Sequence, residues 1–319
     1  MAEIEIQFQP RTTWKWIKEF NFQVEKSIWI FFILEIKENT KKLKSFINHI
    51  SIQYLHRIRH EVRILTRGVE PAKVNFLICG TQKGGTTSLD AYLRQHPEIC
   101  MAKHKEVHYF DSEMPFLYSR PDYRLYHEFF EPQPGQRIWG ETTPIYMYWY
   151  SAPRRIWEYN PEMKLILLLR NPIERAYSHW NMQRERGNEP LSFCDAIAEE
   201  EKRRRSSLPY QNRRFSYLDR GYYNEQINRL RAYFPANQIL LLKSDNLKED
   251  PHSVLDQISN FLAIPRIKNL TTLDLHTRNY ETPIDQNTHE FLISLYEYQI
   301  KEIEKLTSWD CSDWLVQES

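Results

Sequence analysis

One short stretch decides most of what this chain can fold into. Val74–Cys79 reads VNFLIC, and Gly80-Thr-Gln-Lys83-Gly84-Gly85-Thr86-Thr87-Ser88-Leu89 follows it. The chain has only 8 glycines in 319 residues, and three of them fall within these six positions. A buried strand, a glycine-rich turn and a helix start form the layout of a phosphate cradle. The glycines let backbone N–H groups come close to oxygens, and the helix N-terminus adds partial positive charge. Thr86, Thr87 and Ser88 add hydroxyl donors in the first turn. A nucleoside-triphosphatase loop reads G-x-x-x-x-G-K-[ST]. Gly80 and Gly85 have that separation here and Thr87 sits at the Ser/Thr position, but Thr86 occupies the lysine position. The lysine has moved into the loop, at Lys83. That displacement disfavours a Mg²⁺-dependent NTPase. A bare turn would not need a lysine, three hydroxyls and a glycine pair together.

The rest of the chain from Val74 alternates short apolar runs with helical stretches. Strands are expected at 74–79, 138–140, 164–169 (KLILLL) and 238–242. Helices are expected at 86–95, 172–186, 191–205, 224–233, 252–262 and 285–306. Asn171 is the expected N-cap of the second of these helices, with Pro172 at its first position. This alternation predicts an α/β fold, a P-loop-like central parallel sheet flanked by helices. Residues 1–70 read as a helical extension in front of it. Gly68-Val-Glu-Pro71 marks the boundary, giving an extension over 1–70 and a main domain over 71–319.

Composition narrows the partners. Forty-three basic residues against 42 acidic give a formal net charge of +1, so no nucleic-acid partner is expected. The four cysteines (Cys79, Cys100, Cys194, Cys311) form no CxxC pair, and His104, Glu106 and His108 do not make a zinc motif. No metal is expected to be required. The first residues lack a basic stretch followed by an apolar core, so no secretory signal is expected. The run Ile28–Leu34 is too short to span a bilayer. It either packs on the domain or lies in a membrane interface. The expected setting is cytoplasmic, membrane-peripheral if the aromatic N-terminal helix makes weak membrane-surface contact.

Two segments carry a resemblance. FLICGTQKGGTTSLDAYLRQHPEI is similar to the 5′-phosphosulfate loop of sulfotransferases that use 3′-phosphoadenosine 5′-phosphosulfate (PAPS). LILLLRNPIERAYSHWNM (165–182) is similar to the 3′-phosphate motif of that family, in which a strand ends in Arg and a Ser follows on the next helix. Three more segments resemble the heparan sulfate branch and its bacterial relatives: KEVHYFD (105–111), WGETTPIYM (139–147) and RGYYNEQINRLRAYFPANQILLL (220–242). The resemblance spans about residues 74–315. Residues 1–70 have no counterpart in it.

The resemblance implies PAPS as co-substrate. Lys83, Gly84, Gly85, Thr86, Thr87 and Ser88 would hold its 5′ end, with Lys83 also stabilising the leaving group. Arg170 and Ser178 would hold the 3′-phosphate, and Tyr222 would contact the cofactor from the adenine-side helix. Arg278, in HTRNY (276–280), would be a further cofactor contact where the branch has a disulfide-bonded loop. Two carboxylates are candidates for the general base. Glu106, with His108 and Asp111 beside it, matches the O-sulfotransferases and is the better candidate; Glu141 matches the N-sulfotransferases. The residue after Glu141 is Thr142, where the branch commonly has Lys. The implied acceptor is a small molecule, a lipid or a glycan, taking the sulfuryl group on a hydroxyl or an amine. The alternatives are a P-loop-type kinase or NTPase and a non-catalytic binding module. Arg203, Arg204, Arg205, Arg213 and Arg214 could bind an anionic acceptor or form a solvated helix end.

Overall fold

The computed structural model describes residues 73–117, 121–267, 270–271 and 283–316. The expected extension over 1–70, the boundary at 70/71 and the cofactor contact Arg278 lie outside the described residues. Five strands form one sheet: β1 (Phe76–Gly80), β2 (Ile99–Met101), β3 (Ile138–Thr142), β4 (Lys164–Leu169) and β5 (Ile239–Lys243). Their order is β2-β3-β1-β4-β5, and every pairing is parallel. β1 is therefore central. The chain leaves it first toward one edge and later crosses to the other. This reversal of strand order opens a crevice at the carboxyl ends of β1 and its neighbours.

Both faces of the sheet are covered, so, while β3 ends in Glu141 and Thr142, β1 and all of β4 past Lys164 are apolar. Alternation then sorts their side chains. Leu77, Cys79, Leu165, Leu167 and Leu169 join one buried cluster, and Phe76, Ile78, Ile166 and Leu168 join the other. The second cluster is closed by α1 (Thr86–Leu93), through Leu89 and Leu93. Between β2 and β4 the chain forms α2 (Tyr123–His127) and, after β3, α3 (Ala152–Tyr159). The helix after β4 is α4 (Pro172–Glu185). Asn171 caps it as expected, its side chain accepting from the N–H of Ile173, with Pro172 in the first turn.

The helix expected over 191–205 is two: α5 (Phe193–Ala198) and α6 (Glu200–Ser206), meeting at Glu199. Glu200 faces inward at that junction and accepts from the backbone N–H groups of Leu218 and Asp219 at 2.7 and 2.9 Å. Then come α7 (Tyr223–Arg231), α8 (Ser244–Glu249), α9 (Pro251–Leu262) and α10 (Gln286–Thr307). Three residues make β2, too few to carry a period, and the sequence reading has no strand there. Among the described residues no helix is long and apolar enough to cross a membrane.

Candidate active site

The glycine-rich loop joins β1 to α1 at the crevice. It is fixed from four sides. Thr81 N–H donates to the carbonyl of Leu168 on β4 at 3.0 Å, and Gly84 N–H donates back to Thr81 O at 3.0 Å. Ser244 Oγ, buried at the start of α8, donates to the Gly84 carbonyl at 2.9 Å. Arg220 Nη1 donates to Gln82 Oε1 at 2.7 Å. Arg170, the first residue past β4, donates to the Lys83 carbonyl at 3.3 Å. Two glycines are forced by this geometry. A Cβ on Gly84 would stand 2.5 Å from Leu168 O, and Gly85 has φ +91°. Lys83 itself takes a left-handed backbone, φ 71°, an uncommon conformation for a residue with a side chain.

Gly85 and Thr87 are exposed and Ser88 is half-buried, while Thr86 is buried. No side chain caps the first turn of α1, so its amides face the loop's concave side as an anion seat. The 3′ side is arranged around β4 and α4. Arg170 is 19% exposed, and its Nε and Nη2 pair with Glu174 Oε2 at 2.9 and 2.7 Å. Ser178 lies buried further along α4. Tyr222 is half-buried against the Tyr296 ring. Its neighbour Tyr223, absent from the sequence candidates, donates its hydroxyl to the Arg170 carbonyl at 2.7 Å.

The two candidate bases are distant along the chain, meet at the end of β3 and sit in opposite surroundings. Glu106 N–H donates to the carbonyl of Thr142 at 2.8 Å, the residue that follows Glu141 on β3. The Glu106 carboxylate is exposed. Lys105 Nζ lies 2.7 Å from Oε1, and His108 Nε2 lies 3.6 Å from Oε2. The His108 ring and then Lys105 hold Glu106 down at about 2, against the pull of partial burial. His108 Nδ1 faces Asp111 Oδ2 at 3.0 Å. Asp111 first and Glu106 second raise the His108 ring to about 9. Burial pushes Asp111 upward, but His108 and Arg213 outweigh it and keep the carboxyl below its ordinary range. Glu106 and His108, like Lys83, have positive φ, 64° and 56°. Backbone strain of this kind collects at functional sites.

Glu141 is fully buried. It accepts from Tyr126 Oη at 2.8 Å, Thr143 Oγ1 at 2.9 Å and Tyr146 Oη at 3.0 Å. Burial raises it to about 7 although these three hydroxyls pull the other way. Thr142, beside it, donates to Asp90 Oδ1 at 2.7 Å, and Asp90 pairs with Arg94 at 2.7 Å.

The arginines grouped by the sequence reading take different partners. Arg203 pairs with Glu189, and Arg204 and Arg205 with Glu201. Arg213 reaches Asp111 instead, 102 residues away. This was illegible in the sequence, because nothing local links a loop arginine to the KEVHYFD segment.

A parallel sheet with an anion loop after its central strand, and a guanidinium at the end of the next one, defines a nucleotide-handling group-transfer fold. Residues 73–299 match the model of the sulfotransferase domain, and the chain belongs to that family. Sulfuryl transfer is the chemistry of that family. A solved sulfotransferase from Alicyclobacillus acidocaldarius superposes with a TM-score of 0.63 at 28% identity, covering 76% of this chain and 99% of that one. Human heparan sulfate glucosamine 3-O-sulfotransferase 6 is 31% identical over 191 residues, 60% of this chain and 52% of that protein. Human bifunctional heparan sulfate N-deacetylase/N-sulfotransferase 3 is 29% identical over 279 residues, 76% of this chain and 31% of that protein. The chain thus spans about half of the first of these curated relatives and about a third of the second. Family membership decides against the kinase or NTPase alternative.

Proposed function

We propose that this chain moves the sulfuryl group of PAPS to a hydroxyl of a saccharide acceptor, with Glu106 as the general base. The observation that carries the reading is the loop geometry. Lys83 is held in a left-handed turn, and Arg170 bonds its carbonyl from the strand end that the family uses for the 3′-phosphate. The residues present fit such a donor. Gly84 leaves no room for a side chain, Gly85 requires its positive φ, and the uncapped first turn of α1 offers amides with the hydroxyls of Thr87 and Ser88. These groups would hold the 5′ end, and Arg170 with Ser178 the 3′-phosphate, with Tyr222 beside them.

PAPS supplies the activated sulfuryl group: the acceptor oxygen bonds to sulfur, the bond from sulfur to the 5′-phosphate oxygen breaks, and 3′-phosphoadenosine 5′-phosphate leaves. Lys83 supplies positive charge on the leaving side, where charge develops. Glu106 takes the acceptor proton, being an exposed carboxylate ionised throughout the neutral range. Glu141 has no exposed atom for an acceptor to touch, so its role is to hold Tyr126, Thr143 and Tyr146 in place behind β3. Nothing in this scheme uses a metal. The O-sulfotransferase named above supports the hydroxyl and the saccharide. Two exposed rings, Tyr150 and Tyr210, offer faces on which a sugar can lie.

Sulfate-labelled PAPS with a panel of polysaccharides, and separately a desalted small-molecule extract, tests the proposal without added metal. Label is expected in a polysaccharide hydroxyl, and none with Lys83→Ala. Label only in small molecules or at an amine would overturn the acceptor assignment, and no PAPS binding at all would overturn the donor.

A further inference from the structure

The segment that carries Glu106 is built like a cantilever. One end is anchored where Glu106 N–H meets Thr142 O. Further on, the N–H groups of Tyr109 and Phe110 share the Tyr146 hydroxyl at 3.0 and 3.4 Å. No strand or helix runs through Lys103–Phe110, so the side chains between these anchors need their own support.

Arg213 provides a support of that kind from far along the chain. Its Nη1 donates to Asp111 Oδ2, and its Nη2 donates to the Asp111 carbonyl. Its guanidinium lies over the Trp149 ring, 4.1 Å from the centroid. Trp149 is itself buried, with its Nε1 donating to Glu113 Oε1 at 3.2 Å. The Asp111 side chain has no exposed surface and touches the His108 ring with both oxygens, at 3.0 and 3.2 Å from Nδ1. The far side of that ring faces Glu106.

We propose that Arg213 is a positioning residue for the general base: it clamps Asp111, Asp111 orients His108, and His108 aims the Glu106 carboxylate. A planar fork suits this task. It binds side chain and main chain of one residue at once, which a lysine ammonium cannot do with the same rigidity. The fork also keeps Asp111 ionised in a buried place. Asp111 in turn accepts from Nδ1–H and keeps the His108 ring protonated, so that Nε2–H points toward Glu106.

Among the charged groups packed on this segment, Arg155 donates to the Phe110 and Ser112 carbonyls on either side of Asp111 and pairs with Glu113. His108 meets Asp111 and Glu106, and Glu106 meets His108 and Lys105. Asp111 meets His108 and Arg213 and is felt by Glu141 and Tyr146. Arg213 and Arg220 repel one another. Removing Arg213 has two opposed consequences. Loss of a nearby cation alone would raise the His108 ring. Loss of the clamp frees Asp111 to turn away and lowers it.

The test therefore reads His108 directly, by the NMR titration of its ring in the full chain. Arg213→Ala, Arg213→Lys and Asp111→Asn are compared with the parent. The proposal rests on Glu106 as the base for its kinetic arm only, because the ring titration reports the clamp whichever carboxylate is the base. From a parent midpoint near 9, the ring should fall toward its ordinary 6.5 in Arg213→Ala and part of the way in Arg213→Lys. Turnover should fall about tenfold to a hundredfold, a fraction of what a general base contributes, with acceptor KM within about twofold. Arg213→Ala should add almost nothing once Asp111→Asn is present. A midpoint that stays or rises overturns the clamp. A raised acceptor KM at unchanged turnover would make Arg213 an acceptor contact and also overturn it. If Arg213→Ala does not fold, an unchanged midpoint in Arg213→Lys suffices to reject the proposal.

Discussion

Glu106 and Glu141 are two carboxylates brought near one another at the end of β3, where Glu106 N–H donates to the carbonyl of Thr142, the residue after Glu141, and their surroundings drive them in opposite directions. Glu106 stands in solvent between a lysine and an imidazole and is held at about 2. Glu141 is sealed among three hydroxyls and raised to about 7. By proton affinity alone, Glu141 would be the better base near neutral pH. Access reverses the choice, since a base must reach the proton it takes. Glu106 gives up basicity to the same groups that hold it in place. Glu141 keeps its proton affinity and has nowhere to use it.

The largest expected effect tests this division directly. Glu106→Gln should cut turnover by about 10²–10⁴, the range a general base supplies, and leave PAPS affinity within about twofold. Glu141→Gln should cost less than about tenfold at neutral pH, because its amide oxygen can still accept from Tyr126 and Tyr146. Steady-state kinetics with direct PAPS binding decides the matter. A large loss for Glu141→Gln and none for Glu106→Gln would exchange the two roles.

A second prediction concerns stability. Glu141 titrates near 7 in the fold against an ordinary 4.5. Its raised value means that the folded chain holds a proton which the unfolded chain has lost. Its contribution is fully present below about 4.5 and is lost as pH rises through 7. The difference amounts to about 3 kcal/mol. Urea melts of Glu141→Gln and parent from pH 5 to 8 should therefore diverge, the variant losing less stability as pH rises. Parallel curves would mean that Glu141 is solvated, and the contrast with Glu106 would collapse.

Arg170→Ala belongs to neither carboxylate and serves to separate donor from acceptor. It should weaken PAPS binding by about 1.5–3 kcal/mol, the worth of hydrogen bonds to a charged partner, while the pH profile of turnover keeps its shape. A changed profile would show that the two halves of the site are coupled through Lys83.

The donor half was far more legible in the sequence than the acceptor half, and the reason is physical. The loop, β4 with Arg170, and the Asn171–Pro172 start of α4 are contiguous segments: spacing exposes the loop and the cap, and the resemblance to the family's motif points to Arg170. The KEVHYFD segment displays its own carboxylates and histidine, yet what steadies them comes from Tyr146 and Arg213, tens of residues away. Glu141 reads in sequence as a second candidate base, through its match to the N-sulfotransferases. Only the packing of Tyr126 and Tyr146 over it shows that it is enclosed. The break at Glu199 has the same origin, because Glu200 turns inward to meet the distant amides of Leu218 and Asp219.

The smallest expected effect sharpens the account of Glu106. Lys105 Nζ lies 2.7 Å from its carboxylate, but Glu106 is substantially exposed, so water screens the pair. Lys105 ranks behind His108 among the groups that hold Glu106 down. Lys105→Met should therefore let Glu106 rise by less than about one pH unit, the range of a partly exposed ion pair. A higher value makes a stronger base, so turnover near neutral pH should stay level or increase slightly, and the acid limb of kcat/KM should move up by the same small amount. The direction is the informative part. If Lys105 only screens Glu106, the limb moves and turnover holds. A fall in turnover of tenfold or more would mean that Lys105 carries charge toward the transferred sulfuryl group. The Glu106 side would then supply a cation as well as a base, and Thr142, standing where the family branch has its lysine, would be compensated from the neighbouring segment.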